Sequence, residues 1–342
     1  MSPSKKPKHA ITLGDVAGIG PEIIVGGWSR IVQQNDCIPI VYGNPGVVEK
    51  AIALLGNDCT VQNIDNPAHA EPSSDVIPCL NCSSADCLDV RPGQISRIAG
   101  EAAYHAIVTA TMHAMQRDVD AIVTTPIHKK ALNMAGCRFP GHTELIASRC
   151  GVENFAMMLY LGSSENIKGA AGLAVVHVTL HQAMRTIFDK ITPENILEKI
   201  HLANDFMLQM KGEPPEIGVC SLNPHAGEQG LFGLEELNII APTIALAQEE
   251  GINVTGPFPA DTIMVRARDG EFDAVVAMFH DQGHIALKLL GMHQAVNITL
   301  GLPIIRTSVA HGTAFDIAWQ GKANPASLIE ACRVACVLAN HQ

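Results

Sequence analysis

Three apolar runs in this chain end in histidine. Leu173-Ala174-Val175-Val176 stops at His177, and Ile217 to Leu222 runs through Asn223-Pro224 to His225. Ala274-Val275-Val276-Ala277-Met278-Phe279 stops at His280, followed at once by Asp281, Gln282, Gly283 and His284. Short apolar runs rich in β-formers read as buried strands. In open α/β sheets, ligands bind outside the carboxyl ends of such strands. Imidazoles suit Zn²⁺, Co²⁺, Fe²⁺ or Ni²⁺, and three protein ligands with one open position form the usual catalytic metal centre. A single histidine after a strand is more often an ordinary loop residue; three in one context leave both readings open. His181 follows His177 by four residues, but the β-rich VVHVTL between them argues against a shared helical face. His181 and His284 are therefore read as facing substrate or supporting ligands rather than as ligands.

An anion site is suggested beside them. Gly141-His142-Thr143 precedes a helical pattern, whose first amides would hold a phosphate or carboxylate. Lys288 follows the histidine cluster, and Asn297 and Arg306 lie in NITLGLPIIRTS. Solvated surface charge is the plainer account of Lys288. Arg306 directly follows the apolar Leu302-Pro303-Ile304-Ile305, which favours burial with a partner. Asp261 sits in the Pro-flanked turn FPADT, where helix capping is the bland alternative.

The elements that must position these residues alternate. Residues 10–22 read as strand, glycine-rich turn and a helix with Pro21 in its first turn. Gly18 and Gly20 lead into Pro21 and Glu22 with no third glycine in register, so the Rossmann GxGxxG is absent. Strands are predicted at 37–42, 121–125, 155–161, 172–178, 216–222, 274–279 and 296–300. Helices are predicted at 45–55, 94–117, 193–211 behind a Thr192 cap, and 234–250. Residues 62–93 read as an irregular excursion or a pair of edge strands. The alternation predicts a two-lobed, doubly wound α/β/α fold. Its parts would be a loose tail over 1–10, a first lobe of 11–135 with 301–342, and a second lobe of 136–300 carrying metal and dimer contacts.

Composition narrows the partners. A net charge of −11 argues against nucleic-acid and anionic-membrane surfaces. No apolar run approaches the ~20 residues of a membrane span, and the basic start lacks a signal peptide's apolar core; the expected location is the cytoplasm. The ten cysteines are scattered as core or surface thiols rather than as a disulfide framework. Cys79-x-x-Cys82 with Cys87 has no second half of a zinc site near it.

Longer motifs carry a resemblance over nearly the whole chain. GDVAGIGPE (14–22), TTPIHK (124–129), FPGHTE (139–144), LNPHAGE (222–228), PADT (259–262), FHDQG (279–283) and VNITLGLPIIRTSVAHGTA (296–314) resemble the 4-hydroxythreonine-4-phosphate dehydrogenase family of pyridoxal phosphate biosynthesis. The resemblance implies a fold like isocitrate and isopropylmalate dehydrogenases and a homodimer with its active site at the subunit interface. It implies NAD (or NADP) and a divalent metal (Zn, Mg or Co) on His177, His225 and His280, some donated across the dimer. His142, Thr143, Lys288, Asn297 and Arg306 match substrate-binding positions. Asp261 and Asp281 match acidic residues beside the metal, and either Lys288 or an Asp281-linked water would take the substrate's proton. The implied reaction oxidises 4-phosphooxy-L-threonine at C3 to a 3-oxo acid, which loses CO₂. The chain departs from the family pattern at Val16, at His177-Val178-Thr179-Leu180-His181, at His284 and at Ala310. The HVTLH and HDQGH variants resemble paralogues that oxidise D-threonate or D-erythronate 4-phosphate or an aromatic cis-dihydrodiol.

Overall fold

The structure, a computed structural model, describes residues 6–341. Contacts divide the chain into two units, one of residues up to Phe155 with those from Leu302, the other Ala156–Gly301.

In the first unit β1 (Lys8–Thr12) leads to α1 (Gly20–Gln34), β2 (Ile38–Gly43), α2 (Pro45–Leu55), β3 (Thr60–Ile64) and β4 (Val76–Asn81). Next come α3 (Arg97–Met115), β5 (Ala121–Thr124), the short α4 (Lys129–Met134) and α5 (His142–Arg149). The second unit holds β6 (Ala156–Leu161), β7 (Leu173–His177), α6 (Pro193–Lys211), β8 (Ile217–Cys220), α7 (Ala241–Glu249) and β9 (Val254–Phe258). It closes with α8 (Ala260–Arg268), β10 (Ala274–Ala277), α9 (His280–Gly291) and β11 (Val296–Leu300). The chain then returns to the first unit as β12 (Ile305–Val309) and α10 (Ala326–Asn340).

Local signals explain many of these boundaries. The Thr192 hydroxyl accepts from Asn195 N–H at 3.3 Å, Pro193 opens α6, and Gly212 ends it in the left-handed region. Asn44 caps α2 in the same way, accepting from Gly46 N–H at 2.9 Å.

The first unit's strands run β3-β4-β2-β1-β5-β12, each pair parallel. Its order reverses at β1 and β5, where the Gly14–Gly20 turn packs directly on the Thr124–His128 loop, Asp15 N–H donating to Pro126 O at 2.9 Å. The turn needs its glycine: at Gly14 (φ +73°) a Cβ would sit 2.3 Å from the Thr125 hydroxyl oxygen. The chain's last third is tied to this turn. Glu22 accepts from Trp319 N–H at 3.0 Å and from Gly321 N–H at 2.7 Å, and Trp319 Nε1–H donates to Val16 O.

The second unit's strands run β11-β6-β7-β10-β8-β9. β6 is antiparallel to both its neighbours, and the remaining pairs are parallel. The mixed α/β class matches the sequence reading, with β6 as the exception to a parallel sheet. Strands β9 and β12 were not predicted. In β9, Gly256-Pro257 breaks the apolar run, and β12 is masked by its buried arginine.

The lobe boundaries differ from those read in sequence. Residues 136–155 belong to the first unit, because Leu145 and Ile146 of α5 join the core formed by Ala106, Ile107 and Ala110 of α3. Lys8 to Ala10, placed in a loose tail, pair in β1 between β2 and β5. The rest of that tail as far as residue 5 lies outside the described residues.

Candidate active site

Strands β7, β10 and β8 are neighbours and parallel, so their carboxyl ends share one edge of the second unit. His177 is the last residue of β7, opposite Ala277 of β10. Two residues beyond β10 the chain turns into α9, whose first residue is His280. The first turn of α9 is clamped by Gln282. Its amide accepts from Met278 N–H at 2.7 Å and donates to Ser221 O at 2.8 Å, tying the ends of β10 and β8 together.

This arrangement gathers four imidazoles. The ring centroids of His280 and His284 lie 3.8 Å apart and nearly parallel, those of His177 and His284 lie 4.6 Å apart, and His280 lies 6.2 Å from His177 and 5.8 Å from His181. His284 Nδ1 is 3.1 Å from His177 Nε2. Burial, then the neighbouring imidazoles, hold His177 well below the usual histidine pKa. Burial, then His280 and Lys288, lower His284 to about 3. Both rings are therefore neutral at pH 7, the form that ligates a metal. Asp281 Oδ1 lies 2.7 Å from His280 Nδ1, and as acceptor it leaves the other ring nitrogen with its lone pair. The donor chemistry fits a divalent ion that favours imidazole.

His225 is placed differently. It lies beyond β8 in a turn over Pro224–Gly230, in left-handed backbone (φ +53°), with its ring nearest Phe232. It lines a hollow of about 640 Å³ together with Asp261, Met264, Asp281 and Ile285. Asp261 lies in the first turn of α8, not in a free turn, and is exposed, as is Asp281. The expected triad of His177, His225 and His280 thus rises from three adjacent strand ends. Among the described residues, however, no three His, Cys, Asp or Glu side chains converge closely enough to hold an ion. His284 and His181, read as supports, are the imidazoles that contact the cluster.

Glu236 holds the His225 loop. Buried in a π-helical turn over Glu236–Ile240, it accepts from Leu222 N–H at 2.8 Å and from Asn223 N–H at 2.7 Å, and from the Asn223 amide at 2.9 Å. Burial opposes its charge, but these hydrogen bonds outweigh it and the carboxyl pKa falls below its ordinary value. Glu236→Ala strands two backbone donors. It is expected to cost about 1–3 kcal/mol in urea denaturation, and proteolysis should then cut first near the Pro224–Gly230 turn. An unchanged denaturation midpoint would contradict this role.

The anion-binding candidates divide between the units. In the first, Arg306 of β12 is buried and donates to the hydroxyls of Thr124 at 2.8 Å and Thr143 at 3.4 Å. Its pKa is pushed down to about 10 by burial, so it stays cationic at neutral pH. His142 opens α5; burial, then Arg306, lowers its pKa well below normal, and its Nε2 is buried with no hydrogen-bond partner among the described residues. In the second, Lys288 lies one turn beyond His284 on α9, and the Asn297 side-chain oxygen is buried, also with no partner among the described residues. The burial expected for Arg306 is present.

Two further buried groups face the same first-unit sheet. Asp15 accepts from Ala17 N–H at 2.9 Å through one carboxylate oxygen; the other has no partner among the described residues, and burial raises the pKa to about 6. His9 in β1 is fully buried with neither ring nitrogen bonded among the described residues, and burial lowers its pKa to about 4. Neither was singled out in the sequence. His9 gives no signal there beyond its place in an apolar strand.

Residues 35–335 match the family described as pyridoxal phosphate biosynthetic protein PdxA. The chain belongs to the PdxA family. It is 42% identical over 331 residues to a D-threonate 4-phosphate dehydrogenase of Pectobacterium atrosepticum, covering 96% of this chain and 98% of that one. It is 45% identical over 319 residues to a 4-hydroxythreonine-4-phosphate dehydrogenase of Beijerinckia indica, covering 93% and 91%. A crystal structure of the 4-hydroxythreonine-4-phosphate dehydrogenase of Klebsiella pneumoniae superposes with a TM-score of 0.85 at 40% identity, covering 99% of each chain. This PdxA-family chain is accordingly an enzyme of the dehydrogenase kind. Among its described residues, no helix is long and apolar enough to cross a membrane.

Proposed function

We propose that the enzyme oxidises the C3 hydroxyl of 4-phosphooxy-L-threonine with NAD or NADP. The resulting 3-oxo acid loses CO₂ to leave 3-amino-2-oxopropyl phosphate, a precursor in pyridoxal phosphate biosynthesis. The observation that carries this reading is the set of imidazoles gathered at adjacent strand ends in a PdxA-family chain. A divalent ion, Zn²⁺, Co²⁺ or Mg²⁺, would supply Lewis acidity at the C3 oxygen. His177, His225 and His280 would hold it, His280 being turned by Asp281.

The chain's own residues do the rest. Lys288 or a water on Asp281 takes the hydroxyl proton, and Asp261 adds negative charge beside the His225 turn. His142, Thr143, Lys288, Asn297 and Arg306 are the residues that bind the phosphorylated substrate and fix its reacting carbon. The carboxyl ends of β1 and β5, with the loop after Thr124 and the 301–316 segment, are the place we assign to the nicotinamide cofactor. Exposed Leu231, Phe232, Leu234 and Leu237 beyond the His225 turn support a homodimer that covers them and shares the active site. A cytoplasmic location goes with this reading.

His181 and His284 favour a second substrate reading, D-threonate 4-phosphate, which carries a hydroxyl where hydroxythreonine carries an ammonium. The test is NADH formation on 4-phosphooxy-L-threonine, D-threonate 4-phosphate and an aromatic cis-dihydrodiol, before and after chelation. The expected result is turnover of a phosphorylated substrate. Chelation should reduce it at least about 100-fold, with recovery on adding Co²⁺. Turnover of the dihydrodiol alone, or no effect of chelation, would overturn the proposal.

A further inference from the structure

We propose that His284 is a direct ligand of the divalent ion, sharing it with His177 through facing ring nitrogens. The inference rests on the metal reading above and assigns to that site a residue outside the expected triad.

Geometry supplies the reason. His284 Nδ1 and His177 Nε2 lie 3.1 Å apart in a buried setting. Two nitrogens that each bind one ion at about 2.0–2.1 Å and lie this far apart subtend about 95–102° at it, an ordinary angle between neighbouring ligands. The same pair can share one hydrogen, but that hydrogen then occupies the lone pair through which His177 Nε2 would ligate. Metal and hydrogen bond therefore compete for one spot, and His284 leaves it or joins in ligation. Leaving is opposed by packing. The His284 ring is stacked on His280 with centroids 3.8 Å apart and planes 13° apart, and the residue is 6% exposed.

Gly283 points the same way. A Cβ there would lie 2.5 Å from His177 Nε2 and 2.6 Å from Val175 Cγ1, so the first turn of α9 is pressed directly on the strand-end imidazole. A helix held that close brings the next side chain, His284, within bonding range of the same nitrogen. The rest of the ion's shell is left to His225 and His280, to substrate oxygens or to water.

The experiment uses the full chain, stripped with a chelator and titrated with Co²⁺ alone. Binding is read from the visible absorption of the ion and from competition with a chelating dye. Two variants are compared with the wild type after their folding has been checked by circular dichroism. His284→Leu removes both the lone pair and the hydrogen bond. His284→Asn keeps an amide N–H where Nδ1 stood, so it can still orient His177 but offers no imidazole. Loss of an orienting partner costs metal affinity about 10–100-fold; loss of a ligand is expected to cost more than about 100-fold in both variants and to change the absorption spectrum. Affinity within about 100-fold of wild type in His284→Asn, with an unchanged spectrum, reduces His284 to an orienting partner and overturns the proposal. Failure of the wild type to bind Co²⁺ at all would instead overturn the metal reading on which it stands.

Discussion

Gly283→Ala is expected to lose both stability and activity, although helix propensity alone favours it. Alanine in a helix interior is better than glycine by up to about 1 kcal/mol. Here the added methyl would lie 2.5 Å from His177 Nε2 and 2.6 Å from Val175 Cγ1, both fully buried on β7. Neither neighbour is a loose side-chain tip, so α9 or the strand must shift. Overpacking of this kind costs about 1–3 kcal/mol, which outweighs the propensity gain. The shift also moves His280 and His284 relative to His177, and misplacement by about 1 Å costs about 100-fold in rate. Gly291→Ala on the same helix is the control. There the methyl would meet the Leu161 side-chain tip at 2.8 Å, and leucine can rotate away. Urea denaturation and kcat measured on both variants decide the matter. Equal behaviour of the two would show that the contact at Gly283 is not tight.

The second large effect is a pair of opposed pH dependences hidden in β1 and its turn. His9 has its pKa lowered from 6.5 to about 4 by burial. Between those values the unfolded chain binds the proton and the folded chain does not, so His9 makes stability rise with pH by about 3 kcal/mol in all. Asp15 has its pKa raised from 3.8 to about 6, again by burial. There the folded chain holds the proton longer, so Asp15 makes stability fall by about 3 kcal/mol as pH rises from 3.8 to 6. The two contributions largely cancel in the wild type. His9→Leu should therefore be more favourable relative to wild type at pH 4 than at pH 7, by about 3 kcal/mol. Asp15→Asn should show the reverse, more favourable at pH 7 than at pH 4. Denaturant midpoints at the two pH values test both signs, and parallel curves for all three proteins would show that neither group is held as described.

Most of the scaffold was legible because apolar runs, caps and breakers coincide along this chain. The α6 helix could be read residue for residue, since Thr192, Pro193 and Gly212 mark its ends. The strand that ends in His177 and the one that leads to His280 were legible as apolar runs cut by polar residues. Their adjacency was not, because β10 enters between β7 and β8 only through pairing across long sequence separations. For the same reason the sequence could name the three strand-end histidines but not the packing of His284 on His177, which depends on how closely α9 lies to β7. His225 shows the converse limit. Its strand was correctly read, but a run of left-handed residues after Pro224 carries the ring toward Phe232. The buried charge at Arg306 was foreseen from its apolar neighbours, yet the strand that carries it was missed.

The order of the elements has a consequence for synthesis. The second unit is one uninterrupted stretch, Ala156–Gly301, set inside a first unit made from both ends of the chain. On the ribosome it can pack as soon as it emerges. The first unit cannot, because the free edge of β5 awaits β12 and the Gly14–Gly20 turn awaits the contacts of Trp319 and Gly321 with Glu22. Until then β5, all four of its residues buried in the finished fold, presents an unpaired apolar edge, the kind of surface on which nascent chains associate wrongly. The nested order thus leaves the edge of β5 uncovered until β12 has been made.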